Sequence, residues 1–137
     1  MVIESRLKEL EKVERFSEQV ARQSGLSRDE SDNLAIAVTE AVGNAITHGN
    51  RRDPAKTVEI VFDGLENGIR VRVSDQGCGF DPNCIANPLD PENLMKESGR
   101  GIFILKSLMS EVRFDITPCG SSVVMSLTHS TQTRKDE

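Results

Sequence analysis

Residues 39–50 read TEAVGNAITHGN and place Glu40, Asn44 and His48 at a spacing of four. Residues three and four apart are neighbours on a helix, so Glu40 and Asn44 point the same way, one turn apart. A carboxylate there can take a proton from a hydroxyl, and an amide oxygen is a hard ligand for a divalent cation. The same pair also suits a solvated polar stripe. Gly43 lies between them, and a glycine in a helix interior costs about 1 kcal/mol relative to alanine. Its presence argues that something approaches the helix closely there. His48 fits a capping or packing role at the helix end better than a chemical one.

Two further stretches carry chemistry. DQGCGFD, residues 75–81, follows directly on a predicted strand. Asp75 ends that strand, and Gly77 and Gly79 let backbone come close to a ligand without Cβ hindrance. Turns after strands use the same residues, so this D-x-G-x-G pattern is weak alone. SGRGIFIL, residues 98–105, opens a helix with glycines. Free backbone N–H groups and the helix dipole make such an N-terminus suited to phosphate.

These residues need elements to position them. Residues 5–23 read as an amphipathic helix, with Leu7, Leu10, Val13, Phe16 or Ser17, and Val20 recurring at three and four. Gly25 suits its C-terminal cap, and Ser27 with Glu30 makes a capping box for a second helix over about 28–48. Leu34, Val38, Ala41, Val42 and Ala45 form that helix's core face, while Ile36, Glu40, Gly43, Asn44 and Thr47 fall on another. TVEIVFD (57–63) and GIRVRVSD (68–75) alternate as half-buried strands do, and the Asn-Gly between them predicts an antiparallel hairpin. Residues 76–97 show no sustained period, and a loop that long inside a compact domain usually has a function. GIFILKSLM (101–109) returns to a helical pattern; EVRFDIT and SSVVMSLTH, joined by PCG, form a second hairpin. The predicted fold is a two-layer α/β sandwich, with helices packed on one face of a mixed, mostly antiparallel sheet. Residues 1–129 form one domain, and 130–137 a frayed tail.

Composition narrows the function. The chain has 137 residues, 36% hydrophobic and 28% charged, enough for one real core. No apolar run approaches the roughly 20 residues a membrane span needs, and MVIESRLKEL lacks a signal-peptide plan. A cytoplasmic location is expected, with no membrane partner. The net charge of −5 argues against nucleic acid. Cys78, Cys84 and Cys119 lack the spacing of a zinc site and are expected to be reduced thiols.

The three motifs in order, EAVGNAITHG, DQGCGFD and SGRGIFILKSLMSEV with two strands after it, resemble the ATP-binding domain of histidine kinases, gyrase-type topoisomerases, heat-shock chaperones and mismatch-repair ATPases. Within that superfamily the chain looks most like the small bacterial anti-sigma factor serine kinases, over nearly its whole length. The resemblance implies the histidine-kinase-like ATPase fold, with ATP and Mg²⁺ bound. It implies that Asn44 coordinates Mg²⁺ bridging the phosphates and that Glu40 is general base on a hydroxyl nucleophile. Asp75 would accept a hydrogen bond from the adenine amino group, while Gly77 and Gly79 bring backbone close to the base. Gly99, Arg100 and Gly101 would give backbone donors to the phosphates, and residues 81–98 would form a lid. Lys96 and Arg100 are the cations available to the γ-phosphate, and Ser121 or Ser122 could touch the adenine site. The family usually begins with a strand, which MVIES leaves short or absent.

The implied function is an ATP-dependent serine/threonine protein kinase that binds and holds off a sigma factor. It would phosphorylate a small anti-sigma antagonist, and a homodimer is expected from the family. The alternatives are an ATP-binding anti-sigma module with negligible kinase activity, a detached histidine-kinase catalytic domain, and a plain ATPase. Neither His48 nor His129 sits on a dimerisation helix, which counts against the second alternative.

Overall fold

The structure is a computed structural model and describes residues 1–53, 55–77, 99–117 and 120–128. Gly79, Lys96, the three cysteines, the 81–98 segment, His129 and the 130–137 tail lie outside the described residues.

A short strand, β1 (Val2–Glu4), comes first. The expected opening strand is therefore present but only three residues long, extended by Met1, whose ammonium donates to the Ile60 carbonyl at 2.9 Å. A single 3-10 turn, Leu7–Glu9, leads into α1 (Leu10–Gln23), so the regular helix begins later than residue 5. Gly25 ends it as the glycine pattern predicts. Its φ is +83°, and the Gly25 and Leu26 N–H groups close back on the Arg22 and Ala21 carbonyls, a Schellman cap. The capping box then starts α2 (Arg28–Asn44), with Glu30 N–H bonded to Ser27 Oγ at 3.1 Å and Ser27 N–H to Glu30 Oε1 at 2.8 Å.

The α-helical course stops at Asn44, four residues short of the predicted end, and widens into one π turn, Ala45–Gly49. Asn50 N–H closes that turn on the Ala45 carbonyl at 2.8 Å. Arg51 and Arg52 follow in the left-handed region, at φ 53° and 59°. That conformation costs roughly 1–2 kcal/mol per non-glycine residue, and it turns the chain back toward the sheet.

β2 (Thr57–Leu65) and β3 (Gly68–Ser74) form the first hairpin, closed between Leu65 and Gly68. α3 (Gly99–Leu108) precedes the second hairpin, β4 (Glu111–Thr117) and β5 (Gly120–Thr128). The sheet order is β1-β2-β3-β5-β4, and every pairing in it is antiparallel. The expected mixed character survives only in the β3-α3-β4 crossover. β4 runs parallel to β3, but β5 lies between them, so no parallel neighbours meet.

The three described helices cover one face, with α2 central and α1 and α3 beside it. The predicted core stripe of α2 is the observed one: Leu34, Val38 and Val42 are fully buried, with Ala41 and Ala45 close behind. They meet Ile60, Val71, Val73 and Met125 from the sheet. Burying each large aliphatic side chain is worth about 1.5–3 kcal/mol, which is why the alternation of β2 and β3 specifies the inner face. Phe16 of α1 packs edge-on against Phe62 of β2, with ring centroids 5.4 Å apart. The outer face carries Glu59, Arg70 and Arg72 to solvent. The chain is a two-layer α/β sandwich.

Candidate nucleotide site at the end of the second helix

Glu40 and Asn44 lie one turn apart on α2, both half-buried, on the stripe that turns away from the core. Neither side chain bonds to another described residue. His48 falls in the π turn, beyond the regular part of the line. Gly99, Arg100 and Gly101 occupy the first turn of α3, beside α2, where a helix leaves its N–H groups without internal partners. The structure thus brings the first and third motifs onto neighbouring helices.

Asp75 follows the end of β3, and its carboxylate is tightly engaged. Oδ1 accepts from Gly77 N–H at 2.9 Å and Ser121 N–H at 3.2 Å, while Oδ2 accepts from Ser121 Oγ at 2.7 Å. The Asp75 N–H in turn donates to the Ser121 carbonyl at 2.8 Å. A carboxylate offers about four acceptor positions. Described residues use three, two of them on Oδ1, and the fourth position, on Oδ2, suits a donor such as an exocyclic amine. Of the two serines considered from sequence, Ser121 meets Asp75. Ser122 pairs across the strands with Ser74 and Asp115, on the alternate face.

Two glycines make this contact possible. A Cβ on Gly49 would stand 2.3 Å from Asp75 Oδ2, and one on Gly77 would stand 2.3 Å from the Gly49 carbonyl oxygen. The D-x-G turn therefore packs straight onto the end of α2. The space a Cβ would need at Gly77 is taken by the protein itself.

Among the described residues, a Cβ on Gly43 would meet Leu10 Cδ1 alone, at an ordinary 3.9 Å. No described residue needs the room, and the glycine faces α1. Gly43→Ala is accordingly expected to stabilise the fold by up to about 1 kcal/mol through helix propensity, read as a raised midpoint in urea unfolding. A lowered midpoint would mean the space is required.

Sequence reasoning passed over Asn50, whose side chain is 1% exposed. Its Nδ2 donates to Ser5 Oγ at 2.8 Å and the Thr57 carbonyl at 2.9 Å, and its Oδ1 accepts from Gln76 N–H at 2.7 Å. Nothing local to Asn50 in the sequence signals partners in three other segments.

Comparison with known proteins agrees with the geometry. The model of the histidine kinase-like ATPase domain matches residues 3–127. The serine-protein kinase RsbW of Bacillus licheniformis is 34% identical over 115 residues, covering 80% of this chain and 70% of that protein. RsbW of Bacillus subtilis strain 168 is 35% identical over 100 residues, 69% of this chain and 62% of its own length. Among solved structures, the histidine kinase domain of the blue-light activated histidine kinase from Erythrobacter litoralis EL346 superposes with a TM-score of 0.57. That match covers 77% of this chain and 48% of the other at 22% identity, a likeness of fold.

Proposed function

The chain belongs to the histidine kinase-like ATPase domain family, next to the bacterial serine-protein kinases named RsbW, and on that footing we propose an ATP-dependent protein serine/threonine kinase. In this reading it binds a sigma factor and phosphorylates a small anti-sigma antagonist. The observation that carries the nucleotide part is Asp75, an aspartate held by three hydrogen bonds from described residues, which leave one acceptor position on Oδ2. Such a group suits a base that presents an amino group.

The donor set on α2 fits a magnesium–phosphate complex. An amide oxygen and a carboxylate, one turn apart and free of bonds to other described residues, are hard oxygen donors. Asn44 would hold the Mg²⁺, which when bound neutralises charge on the phosphate oxygens. Glu40 would take the proton from the attacking serine or threonine hydroxyl as its oxygen bonds to the γ-phosphorus and the bond to the β,γ-bridging oxygen breaks, that oxygen leaving with ADP. The first-turn N–H groups of Gly99, Arg100 and Gly101 would donate to the phosphates.

Asp75→Asn tests the nucleotide reading. The Gly77 and Ser121 N–H groups, both aimed at Oδ1, would hold the amide oxygen there. The amide nitrogen then replaces Oδ2, and an acceptor becomes a donor facing the amino group of adenine. Mg-ADP should raise the melting temperature of the parent by mass action, and the variant should lose most of that rise. An equal rise in both proteins would reject the role of Asp75. Transfer of labelled γ-phosphate to the antagonist tests the kinase part, and its absence alongside intact nucleotide binding would leave a binding module.

A further inference from the structure

Asn50 closes a ring of hydrogen bonds around the base of the Asp75 turn. Its Oδ1 accepts from Gln76 N–H, Gln76 Oε1 accepts from Thr57 N–H at 2.7 Å, and the Thr57 carbonyl accepts from Asn50 Nδ2. Thr57 Oγ1 adds a longer bond to Gln76 Oε1 at 3.2 Å, and the Asn50 amide reaches on to Ser5, itself bonded to the Lys56 carbonyl. Both donors of the Asn50 amide are used, and its oxygen has a partner, in a site closed to solvent. A polar side chain buried that far must be bonded to be tolerated, and losing a partner costs the desolvation of what remains.

The ring's position gives it a consequence beyond stability. Residues 49 and 50 on one side face residues 75, 76 and 77 on the other. A Cβ on Gly49 would strike the Asp75 carboxylate and one on Gly77 the Gly49 carbonyl, while Asn50 grips the N–H of the residue directly after Asp75. The Asn50–Gln76 bond therefore sets the separation between the end of α2 and the turn. Gly77 and Ser121 hold the carboxylate, and because Gly49 packs on its Oδ2 side, that separation bounds where the spare acceptor can point. Gln76 repeats the constraint from the other strand, because its side chain ties the same turn to the first residue of β2.

We propose that Asn50 is a positioning residue for base recognition, fixing the direction in which Asp75 presents its free acceptor to the 6-amino group of the purine. The inference rests on the nucleotide reading above. It separates from that reading because it concerns discrimination between bases and not binding as such.

The test compares dissociation constants for Mg-ADP and for the Mg complex of purine riboside diphosphate, which lacks the 6-amino group, measured well below the melting temperature. The parent protein should prefer ADP by about tenfold or more, as a hydrogen bond to a charged group implies. Asn50→Ala should weaken ADP by about fivefold and leave the analogue nearly unchanged, so that a preference of about tenfold falls to about twofold. Gln76→Ala, at an exposed side chain, should act in the same direction with less effect. Leu26→Ala is the control for simple destabilisation. It removes a buried side chain beyond the opposite end of α2, about 25 Å away by the rise of that helix, and should lower the melting temperature while keeping the preference. A folded Asn50→Ala with the parental preference overturns the proposal. If Asn50→Ala does not fold, an unchanged preference in Gln76→Ala overturns it. A parent that fails to distinguish the two nucleotides rejects the adenine reading itself, and the proposal with it.

Discussion

Glu40→Gln is expected to keep Mg-nucleotide and sigma-factor binding while phosphate transfer to the antagonist falls by roughly 10²–10⁴-fold, the usual contribution of a general base. Glutamine has nearly the same shape and can hold the same hydrogen-bond acceptor in the same place, but it cannot take the hydroxyl proton. The half-buried position of Glu40, on the stripe of α2 that also carries Asn44, lets the substitution be made without disturbing the core stripe of Leu34, Val38 and Val42. Asn44→Ala is the contrasting variant, since loss of the amide oxygen should weaken Mg-dependent nucleotide binding as well as transfer. Single-turnover transfer with labelled ATP, run beside nucleotide binding by calorimetry, separates the two. Parental transfer by Glu40→Gln would remove the carboxylate from the chemistry.

Gly49→Ala is expected to destabilise the fold by about 2–4 kcal/mol, from overpacking and from loss of a charge-assisted hydrogen bond. The added methyl would sit 2.3 Å from Asp75 Oδ2 and 2.4 Å from its Cγ. A free surface carboxylate would swing aside at little cost. This one is held by Gly77 and by both the N–H and the hydroxyl of Ser121, so moving it breaks bonds on a neighbouring strand. The variant should therefore unfold at markedly lower urea and lose the nucleotide-induced rise in melting temperature. Gly43→Ala, six residues earlier in the same sequence stretch, should do neither. An unaltered unfolding midpoint for Gly49→Ala would show that the turn does not pack on the helix end as described.

The two glycines mark the boundary of what local sequence can express. Helix propensity flagged Gly43, because a glycine among good helix formers is anomalous by itself. The glycine that packing requires is Gly49, which reads as an ordinary helix terminus until the β3 turn is laid against it. Elements specified by near neighbours were legible: the Ser27–Glu30 capping box, the Gly25 cap, the buried stripe of α2 and the alternation of β2 and β3. Each depends on residues within one or two turns or on a two-residue period, so short-range sterics and burial set them. The early end of α2 was not legible, since the π turn runs into Asn50, which is bonded to Ser5, Thr57 and Gln76 from distant segments.

The same division runs through the site. Residue types and spacing singled out Glu40, Asn44 and Asp75, because a carboxylate and an amide one helical turn apart, and an aspartate before glycines, are local patterns. Which serine meets Asp75 depended on strand order. Ser121 lies 46 residues away in sequence and reaches the carboxylate only because β5 inserts between β3 and β4, with a register that pairs Ser74 with Ser122. Asn50 and Gln76 are 26 residues apart, and nothing in either neighbourhood names the other. Local chemistry nominated the groups that could act; long-range backbone pairing, which carries no period a sequence can display, chose the residues that aim them.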